Sequence, residues 1–219
     1  MAEWLPAAGV DLDVVRVYAG EAVPTRLPAG YEALVVMGGS PNVDEEHEWL
    51  GREMDLVRGC VGDGVPVMGV CLGAQVMAAA CGGVVGRGAL GPEVGAGSIH
   101  LRPEAQADPL FAGMPHIVEA VQWHWYGVER LPPGAAWLAS SPAYPHQAFR
   151  LGERAWGIQF HPETPAHQVD QWTDEDFAPI LAAGLDPEVV RTESVALAGR
   201  MEADWRPFFD RFAALVAGR

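Results

Sequence analysis

The chain has 219 residues, of which 49% are hydrophobic and 20% charged, so it is long enough to bury a substantial core in one large domain or two small ones. Its 14 basic residues are all arginines, which excludes a lysine Schiff base and a lysine-dependent phosphate-binding loop. The 29 acidic residues give a formal net charge of −15, and without a basic cluster this argues against nucleic-acid binding as the main role.

The sequence shows neither a secretory leader nor a membrane-spanning segment. Residues 1–6 lack the basic and apolar regions of a signal peptide, and no stretch approaches the roughly 18 uncharged apolar residues of a spanning helix. The cysteines Cys60, Cys71 and Cys81 are too few, and odd in number, for a disulfide framework. We therefore expect a cytoplasmic protein that binds neither membranes nor nucleic acid.

Predicted strands and helices alternate in the first part of the chain. They are a strand at 10–18, a strand at 33–37 before Gly38-Gly39, a helix at 44–63, a strand at 66–70, and a helix at 76–81 before Gly82-Gly83. The first strand alternates apolar and polar residues, whereas the other two are continuous apolar runs typical of strands buried on both faces. Short connections between them indicate a mostly parallel sheet flanked by helices.

The rest of the chain predicts an antiparallel addition and then helices. Five short strand candidates are separated by proline and glycine, at 94–101, 117–122, 135–140, 146–150 and 155–160. Later, Asp186-Pro187 is typical of a helix start, and residues 205–216 are amphipathic. We expect a single domain over 1–219, with an α/β core at 1–163 and a helical C-terminal tail at 164–219.

Residues 69–73 read Gly-Val-Cys-Leu-Gly, where a predicted strand meets a predicted helix. This G-x-C-x-G pattern is typical of a nucleophile elbow, a tight turn that lifts one side chain clear of the sheet. A helix N-terminus favours the thiolate of Cys71, and the Leu72 N–H points toward an oxyanion formed by attack. In isolation, the pattern also fits a small buried cysteine between ordinary turn glycines. Cys60 and Cys81 lack this context.

A nucleophilic cysteine needs a base, and His161 is the best of seven candidates. It directly follows the apolar strand end at 156–160, and Glu163 comes two residues later. Because parallel-sheet enzymes gather their chemistry at the carboxyl ends of strands, His161 is expected to reach Cys71. Glu163 would hold the imidazole in the required tautomer, as the third member of a triad does.

Two motifs together make the sequence recognisable: GVCLGAQ at 69–75 and QFHPE at 159–163. They resemble the class I (triad) glutamine amidotransferases, and the chain is most similar to a free-standing branch described as GMP-synthase-like. The resemblance runs from near Met1 to Glu163, and the tail is also similar. It implies a flavodoxin-like α/β fold with no cofactor and no metal.

The resemblance assigns a role to each triad residue. Cys71 would attack the side-chain amide of glutamine and form a γ-glutamyl thioester. His161 would take the thiol proton and deliver it to the leaving ammonia, with Glu163 orienting the ring. Gly39 and Leu72 match the residues whose N–H groups form the family's oxyanion hole. The residues that contact the substrate in the family are matched by Gln75 and by the segment His124, Trp125 and Tyr126.

The sequence departs from the family pattern at three places. The usual Gly-Gly-Pro turn is Gly38-Gly39-Ser40-Pro41 here, and many members have His-x-Asp where this chain has His124-Trp125-Tyr126. Relatives also begin with a strand and loop before the helix that resembles residues 1–9. We therefore expect the usual first strand to be lacking, so either the natural protein starts upstream or another element fills the gap.

Three functions from different classes follow from these residues. The protein could be a glutaminase that supplies ammonia to a separate synthase, since no amination domain fits in this length. It could instead hydrolyse a γ-glutamyl compound on its own, with water as the acceptor. A non-catalytic regulatory relative is the third alternative, against which the intact set Cys71, His161 and Glu163 argues.

Overall fold

A seven-stranded sheet forms the centre of the molecule in a computed structural model, which describes residues 1–218. The strands are, in chain order, β1 (Leu34–Val36), β2 (Val67–Val70), β3 (Val84–Arg87), β4 (Glu93–Leu101), β5 (Ile117–His124), β6 (Tyr126–Arg130), β7 (Ala136–Ser140), β8 (Ala148–Leu151) and β9 (Ala155–Ile158). The sheet has the order β1-β2-β9-β8-β7-β4-β5, and β3 pairs with β6 in a separate two-stranded sheet.

Helices cover both faces of this sheet. They are α1 (Trp4–Ala7), α2 (Glu48–Gly62), α3 (Leu72–Ala80), α4 (Ala166–Glu175), α5 (Phe177–Ala182) and α6 (Pro187–Val216). Alternate residues of β2 belong to two separate hydrophobic clusters, because side chains of a strand point to opposite faces. Val67 packs with α2 and α3, whereas Met68 and Val70 belong to the cluster that contains the buried residues of α6.

The predicted α/β fold is confirmed. Strands β1, β2 and β9 run parallel, so their carboxyl ends meet at one edge, while β8, β7, β4 and β5 extend the sheet with antiparallel pairs. Every residue of β2 and β9 is buried, as the continuous apolar runs indicate. The edge formed by the three parallel strands is where β2 leads into α3.

Helix α6 joins the C-terminal part of the chain to the core. It begins as predicted, with the Asp186 side chain accepting a hydrogen bond from the Glu188 N–H at 2.9 Å and Pro187 in its first turn. The amphipathic pattern at 205–216 is the last part of this 30-residue helix, which contains Pro207. Its buried aromatic residues contact the sheet through Trp205, whose indole N–H donates to the Glu119 carbonyl at 2.9 Å.

Two local predictions were wrong, and one pair of strands was missed. Residues 10–16 form no strand, and 17–19 form a 3-10 turn, because no strand edge pairs with this segment in the described structure and its alternating apolar side chains are largely exposed. The helix predicted from residue 44 begins at Glu48, since the residues before it form turns. Strands β3 and β6 were not predicted, because their short sequences contain glycine and polar residues.

No helix within residues 1–218 has the length and apolar character needed to cross a membrane.

Candidate functional site

Cys71 occupies a strained turn between β2 and α3. Its backbone has φ 51° and ψ −108°, and it is the only residue other than glycine with positive φ in the described part of the chain. Such conformations cost free energy and concentrate at functional sites. The turn is held because the Cys71 N–H donates to the Ile158 carbonyl at 2.8 Å, at the end of β9. The sharp strand-to-helix turn predicted from G-x-C-x-G is therefore present.

Gly73, the glycine after the turn, lies very close to the backbone of β1. A Cβ on Gly73 would lie 2.1 Å from the Val36 carbonyl oxygen, far inside van der Waals contact. Only glycine allows the first turn of α3 to pass so close to β1. This contact places Cys71 beside Gly38 and Gly39, which follow β1.

His161 lies against Cys71 across the ends of neighbouring strands. Its backbone N–H donates to the Val121 carbonyl at 2.8 Å, which fixes the residue after β9 leaves the sheet. A Cβ on Gly38 would lie 2.9 Å from His161 Cε1 and 3.4 Å from Cys71 Cβ, so the imidazole and the thiol share one small space. Glu163 completes the row, with its Oε1 2.9 Å from His161 Nδ1.

Charge keeps the His161 imidazole protonated despite its burial. The ring is only 3% exposed, and desolvation on its own would lower its pKa. The negative charge of Glu163, together with the charge and hydrogen bond of Cys71, outweighs desolvation and raises the pKa of His161 to about 10. The three groups therefore form one coupled set, in which an imidazolium lies between a carboxylate and the sulfur.

Two backbone amides beside Cys71 are free to bind an anion. Neither the Gly39 N–H nor the Leu72 N–H donates a hydrogen bond within residues 1–218. A Cβ on Gly39 would lie 3.1 Å from Leu72 Cδ2, so these two residues are immediate neighbours. Because Leu72 is the first residue of α3, its amide also lies at the positive end of the helix dipole. Paired amides of this kind can hold the oxyanion of a tetrahedral intermediate.

A pair of buried glutamines lies next to the thiol. Gln75 Nε2 donates to the Tyr126 carbonyl at 3.0 Å and to Gln159 Oε1 at 3.2 Å, while Gln159 Nε2 donates to Cys71 Sγ at 3.6 Å. A carbonyl can only accept, so the Tyr126 contact fixes which end of the Gln75 amide is the nitrogen. The remaining acceptor, Gln75 Oε1, has no hydrogen-bond partner in the described structure.

The predicted substrate segment 124–126 is a kink between β5 and β6 rather than a free loop. The His124 ring is 3% exposed and bonded internally, with Nδ1 3.0 Å from the Tyr126 carbonyl and Nε2 3.0 Å from Gln122 Oε1. Burial lowers its pKa, although the nearby Glu93 opposes this shift. The Trp125 carbonyl is also occupied, by Tyr144 OH at 3.1 Å. What this segment offers a ligand is therefore mainly the half-buried side chains of Trp125 and Tyr126.

All of the predicted site residues line one cavity of about 750 Å³, a volume typical of small-molecule sites. They are Cys71, His161, Glu163, Gly39, Leu72, Gln75, His124, Trp125 and Tyr126. On the His161 side, α4 closes the cavity, since the Trp172 ring meets the His161 ring at 4.9 Å with an edge-on geometry. Trp123 packs on Trp172 at 5.6 Å and donates its indole N–H to Asp176 at 2.7 Å.

Sequence reasoning gave no role to several residues of this cavity. Gln159 is part of the QFHPE motif but has no charge or nucleophile to draw attention to it. Trp172 and Asp176 lie in a helical region, where core packing and solvated charge are the ordinary interpretations. Arg87 carried no sequence signal at all, because its strand was not predicted. Only the three-dimensional arrangement brings these residues to the site.

The chain matches a family model described as glutamine amidotransferase class-I over residues 2–177. It is 30% identical over 205 residues to gamma-glutamyl peptidase 4 of Arabidopsis thaliana, covering 93% of this chain and 80% of that protein. It is also 30% identical over 181 residues to the glutamine-hydrolyzing GMP synthase subunit of Thermoplasma volcanium, covering 81% of this chain and 84% of the relative.

Some relatives are much longer proteins. The GMP synthase of Porphyromonas gingivalis is 32% identical over 130 residues, which span 59% of this chain but only 24% of that synthase. Among solved structures, a glutamine amidotransferase of Thermotoga maritima shares the fold with a TM-score of 0.84 at 24% identity, covering 97% of this chain and 91% of that one. A glutamine amido transferase from Methylobacillus flagellatus has a TM-score of 0.81 at 26% identity, covering 99% of this chain and 88% of that one.

Proposed function

Because this chain belongs to the class I glutamine amidotransferase family, we propose that it hydrolyses the side-chain amide of L-glutamine and releases ammonia for a separate synthase. The observation that carries this proposal is the strained elbow at Cys71, beside the His161 imidazole, whose Nδ1 lies 2.9 Å from Glu163 Oε1. A strained backbone and a neighbouring base suit a cysteine that acts as a nucleophile, whereas a cysteine that only packs in the core needs neither. The similarity to the glutamine-hydrolyzing GMP synthase subunit of Thermoplasma volcanium supports a partner that consumes the ammonia.

The first half of the reaction forms a thioester. Cys71 Sγ attacks the γ-carbonyl carbon of glutamine, and the thiol proton resides on His161, which Glu163 orients through Nδ1. The carbonyl oxygen becomes an oxyanion, to which the Gly39 and Leu72 N–H groups donate. When the intermediate collapses, the C–N bond breaks, and His161 gives its proton to the nitrogen, which leaves as ammonia.

The second half of the reaction restores the enzyme. His161, now neutral, takes a proton from a water molecule that attacks the thioester carbonyl. The same two amides stabilise the second oxyanion, and the C–S bond then breaks to release glutamate. The Gln159 amide contributes a hydrogen bond to Cys71 Sγ, which stabilises the sulfur whenever it carries negative charge.

Labelling with a diazo-ketone analogue of glutamine tests the nucleophile. We expect intact-protein mass spectrometry to show one adduct on the wild type and none on Cys71→Ala, with ammonia release from glutamine lost in parallel. Cys81→Ala is the matched control, because Cys81 is a half-buried cysteine away from the elbow and should label normally. A folded wild-type protein that takes no label would overturn the proposal and favour a non-catalytic regulatory relative.

A second candidate is a stand-alone γ-glutamyl hydrolase, which the large volume of the cavity favours. The cavity of about 750 Å³ is several times the volume of a free amino acid and extends along α4, so an amide with a larger leaving group fits. The similarity to gamma-glutamyl peptidase 4 supports the same chemistry with a different amine. Relative kcat/KM on glutamine and on larger γ-glutamyl amides separates the two. A preference for the larger amides by the isolated chain would select the hydrolase.

A further inference from the structure

Arg87 is an arginine without a partner in a chain that is rich in acids. With 29 acidic residues against 14 arginines, most arginines can find a carboxylate. Within residues 1–218, every arginine has an ion pair or a side-chain hydrogen bond except Arg26, Arg87 and Arg130. Of these three, Arg87 alone lines the cavity that contains Cys71. An exposed guanidinium that lines the same cavity as Cys71 is available to a substrate.

The ladder between β3 and β6 fixes where Arg87 stands. Arg87 is directly opposite Tyr126, and the next residue, Gly88, donates its N–H to the Trp125 carbonyl at 3.0 Å. The Tyr126 carbonyl in turn accepts from Gln75, a residue that also lines the cavity and whose Oε1 has no hydrogen-bond partner in the described structure. A cation and a carbonyl-type acceptor therefore lie side by side on this wall. That combination matches the two charges of an amino-acid end, a carboxylate and an ammonium.

A second part of the cavity wall, at the end of α4, carries the reverse charge. Glu175 and Asp176 line the cavity at the end of α4, on the side where Trp172 packs against His161. Since His161 delivers the proton to the leaving nitrogen, the leaving group departs toward this acidic wall. A carboxylate on the leaving group would be repelled there, whereas a carboxylate on the γ-glutamyl side would face Arg87.

We propose that Arg87 binds the α-carboxylate of the γ-glutamyl group, and that the site selects amides whose leaving group carries no negative charge. This inference rests on the proposed amide hydrolysis, and it names the recognition step of that same site. The α-carboxylate is roughly 5 Å from the γ-carbonyl carbon in an extended glutamine, so a single side chain beside Tyr126 can hold it while Cys71 attacks. Arg87 is then a specificity-determining residue and takes no part in bond breaking.

Kinetics with two substrates test the assignment. For Arg87→Gln we expect KM for L-glutamine to rise about 10- to 100-fold with kcat little changed, the size of one charge-assisted pair. L-Glutamine α-amide has a neutral carboxamide in place of the α-carboxylate. It should be a poor substrate for the wild type, and its kcat/KM should not fall further in the variant. Arg87→Lys should recover part of the loss. An equal loss on both substrates, or no loss on glutamine, would overturn the proposal.

Arg130→Gln is the matched control. Arg130 lies at the other end of the same two strands, is exposed, and lacks a partner in the described structure, but it does not line the cavity. The same charge is removed from the same small sheet, so kinetics on L-glutamine should be unchanged. A loss equal to that of Arg87→Gln would show a general effect of net charge and would overturn the assignment.

A second pair of substrates tests whether Arg87 binds the γ-glutamyl side of the substrate or its leaving group. γ-Glutamylglycine carries a carboxylate on its leaving group, whereas γ-glutamyl ethylamide does not. We expect the wild type to prefer the ethylamide and Arg87→Gln to impair both equally, because both have the α-carboxylate. If the variant impaired only γ-glutamylglycine, Arg87 would bind the leaving group, and the proposal would be wrong.

Binding separates this inference from the proposed function. In the Cys71→Ala background, calorimetry with L-glutamine should show binding that weakens about 10- to 100-fold when Arg87→Gln is added. That result would support the role of Arg87 even if the wild type released no ammonia, an outcome that would overturn the hydrolysis alone. If Arg87→Gln left the affinity for L-glutamine unchanged, the proposed role of Arg87 would be wrong, whatever the activity of the wild type.

Discussion

Strand β2 and the segment of residues 10–16 are both rich in valine, but they lie in opposite environments. Every residue of β2 is buried, and the strand has parallel neighbours on both sides, β1 and β9. Residues 10–16 have no strand neighbour in the described structure, and Val14 is 54% exposed. The difference shows that β-branched side chains and alternation favour a strand but do not suffice, since the backbone must also find hydrogen-bonding partners.

The largest effect we expect comes from the buried region. In Gly73→Ala the new Cβ would meet the Val36 carbonyl oxygen at 2.1 Å, so α3 must move away from β1. We expect a loss of about 3 kcal/mol or more in the free energy of unfolding, measured by urea denaturation. Gly59→Ala in α2 is the matched control, because its Cβ meets nothing within 4 Å. There we expect a gain of about 0.5–1 kcal/mol from helix propensity. Similar midpoints for the two variants would contradict the close approach.

The same substitution in both regions tests the comparison directly. Val67→Ala removes two methyl groups from a fully buried position and should cost about 2 kcal/mol in the free energy of unfolding. Val14→Ala should change it by less than about 0.5 kcal/mol, because the side chain is already in water. If Val14→Ala cost as much as Val67→Ala, residues 10–16 would be packed in solution, and the contrast between the regions would fail.

The half-buried carboxyl of Glu53 on α2 allows the comparison to be tested through the pH dependence of stability. Desolvation raises the pKa of Glu53 to about 7, above the value of 4.5 that it has when unfolded. The native state therefore binds this proton more tightly, so the contribution of Glu53 to stability is greatest below pH 4.5 and is lost as the pH rises to about 7. Glu53→Gln should remove this fall and raise the free energy of unfolding by about 1–2 kcal/mol at pH 8, with little change at pH 4.

Asp11→Asn provides the control for that titration. Asp11 lies in the exposed segment 10–16, so its replacement should alter the free energy of unfolding by less than about 0.5 kcal/mol at both pH values. Thermal unfolding of the wild type and the two variants at pH 4 and pH 8 measures these changes in stability. A Glu53→Gln variant with the same pH dependence as the wild type would show that this carboxyl is solvated.

Parts of the site were accessible to sequence reasoning because their geometry is local. The turn at Cys71 follows from glycines on either side of one residue, and the Nδ1 contact between His161 and Glu163 joins residues two positions apart. The strand bounds near these residues also agree with prediction within a few residues, since continuous apolar runs identify buried strands. Their meeting in one cavity depended on the rule that parallel strands end at one edge.

Other parts of the site depend on residues far apart in the chain. Gln75 and Gln159 meet 84 positions apart, and nothing in either local sequence indicates a buried amide pair. The kink at 124–126 requires β6, which was not predicted, and Arg87 reaches the cavity only because β3 pairs with that strand. The packing of Trp172 on His161 requires α4 to fold back over the strand ends.

The sequence by itself determined the α/β class, the sharp turn at Cys71 and the contact between His161 and Glu163, because each depends on local periodicity or on short motifs whose backbone geometry is nearly fixed. The tertiary structure decided which apolar segments became strands, which amides were satisfied, and which charges line the cavity. Burial and hydrogen-bond pairing are properties of two surfaces in contact, so a segment such as residues 10–16 can carry the pattern of a strand and remain in water.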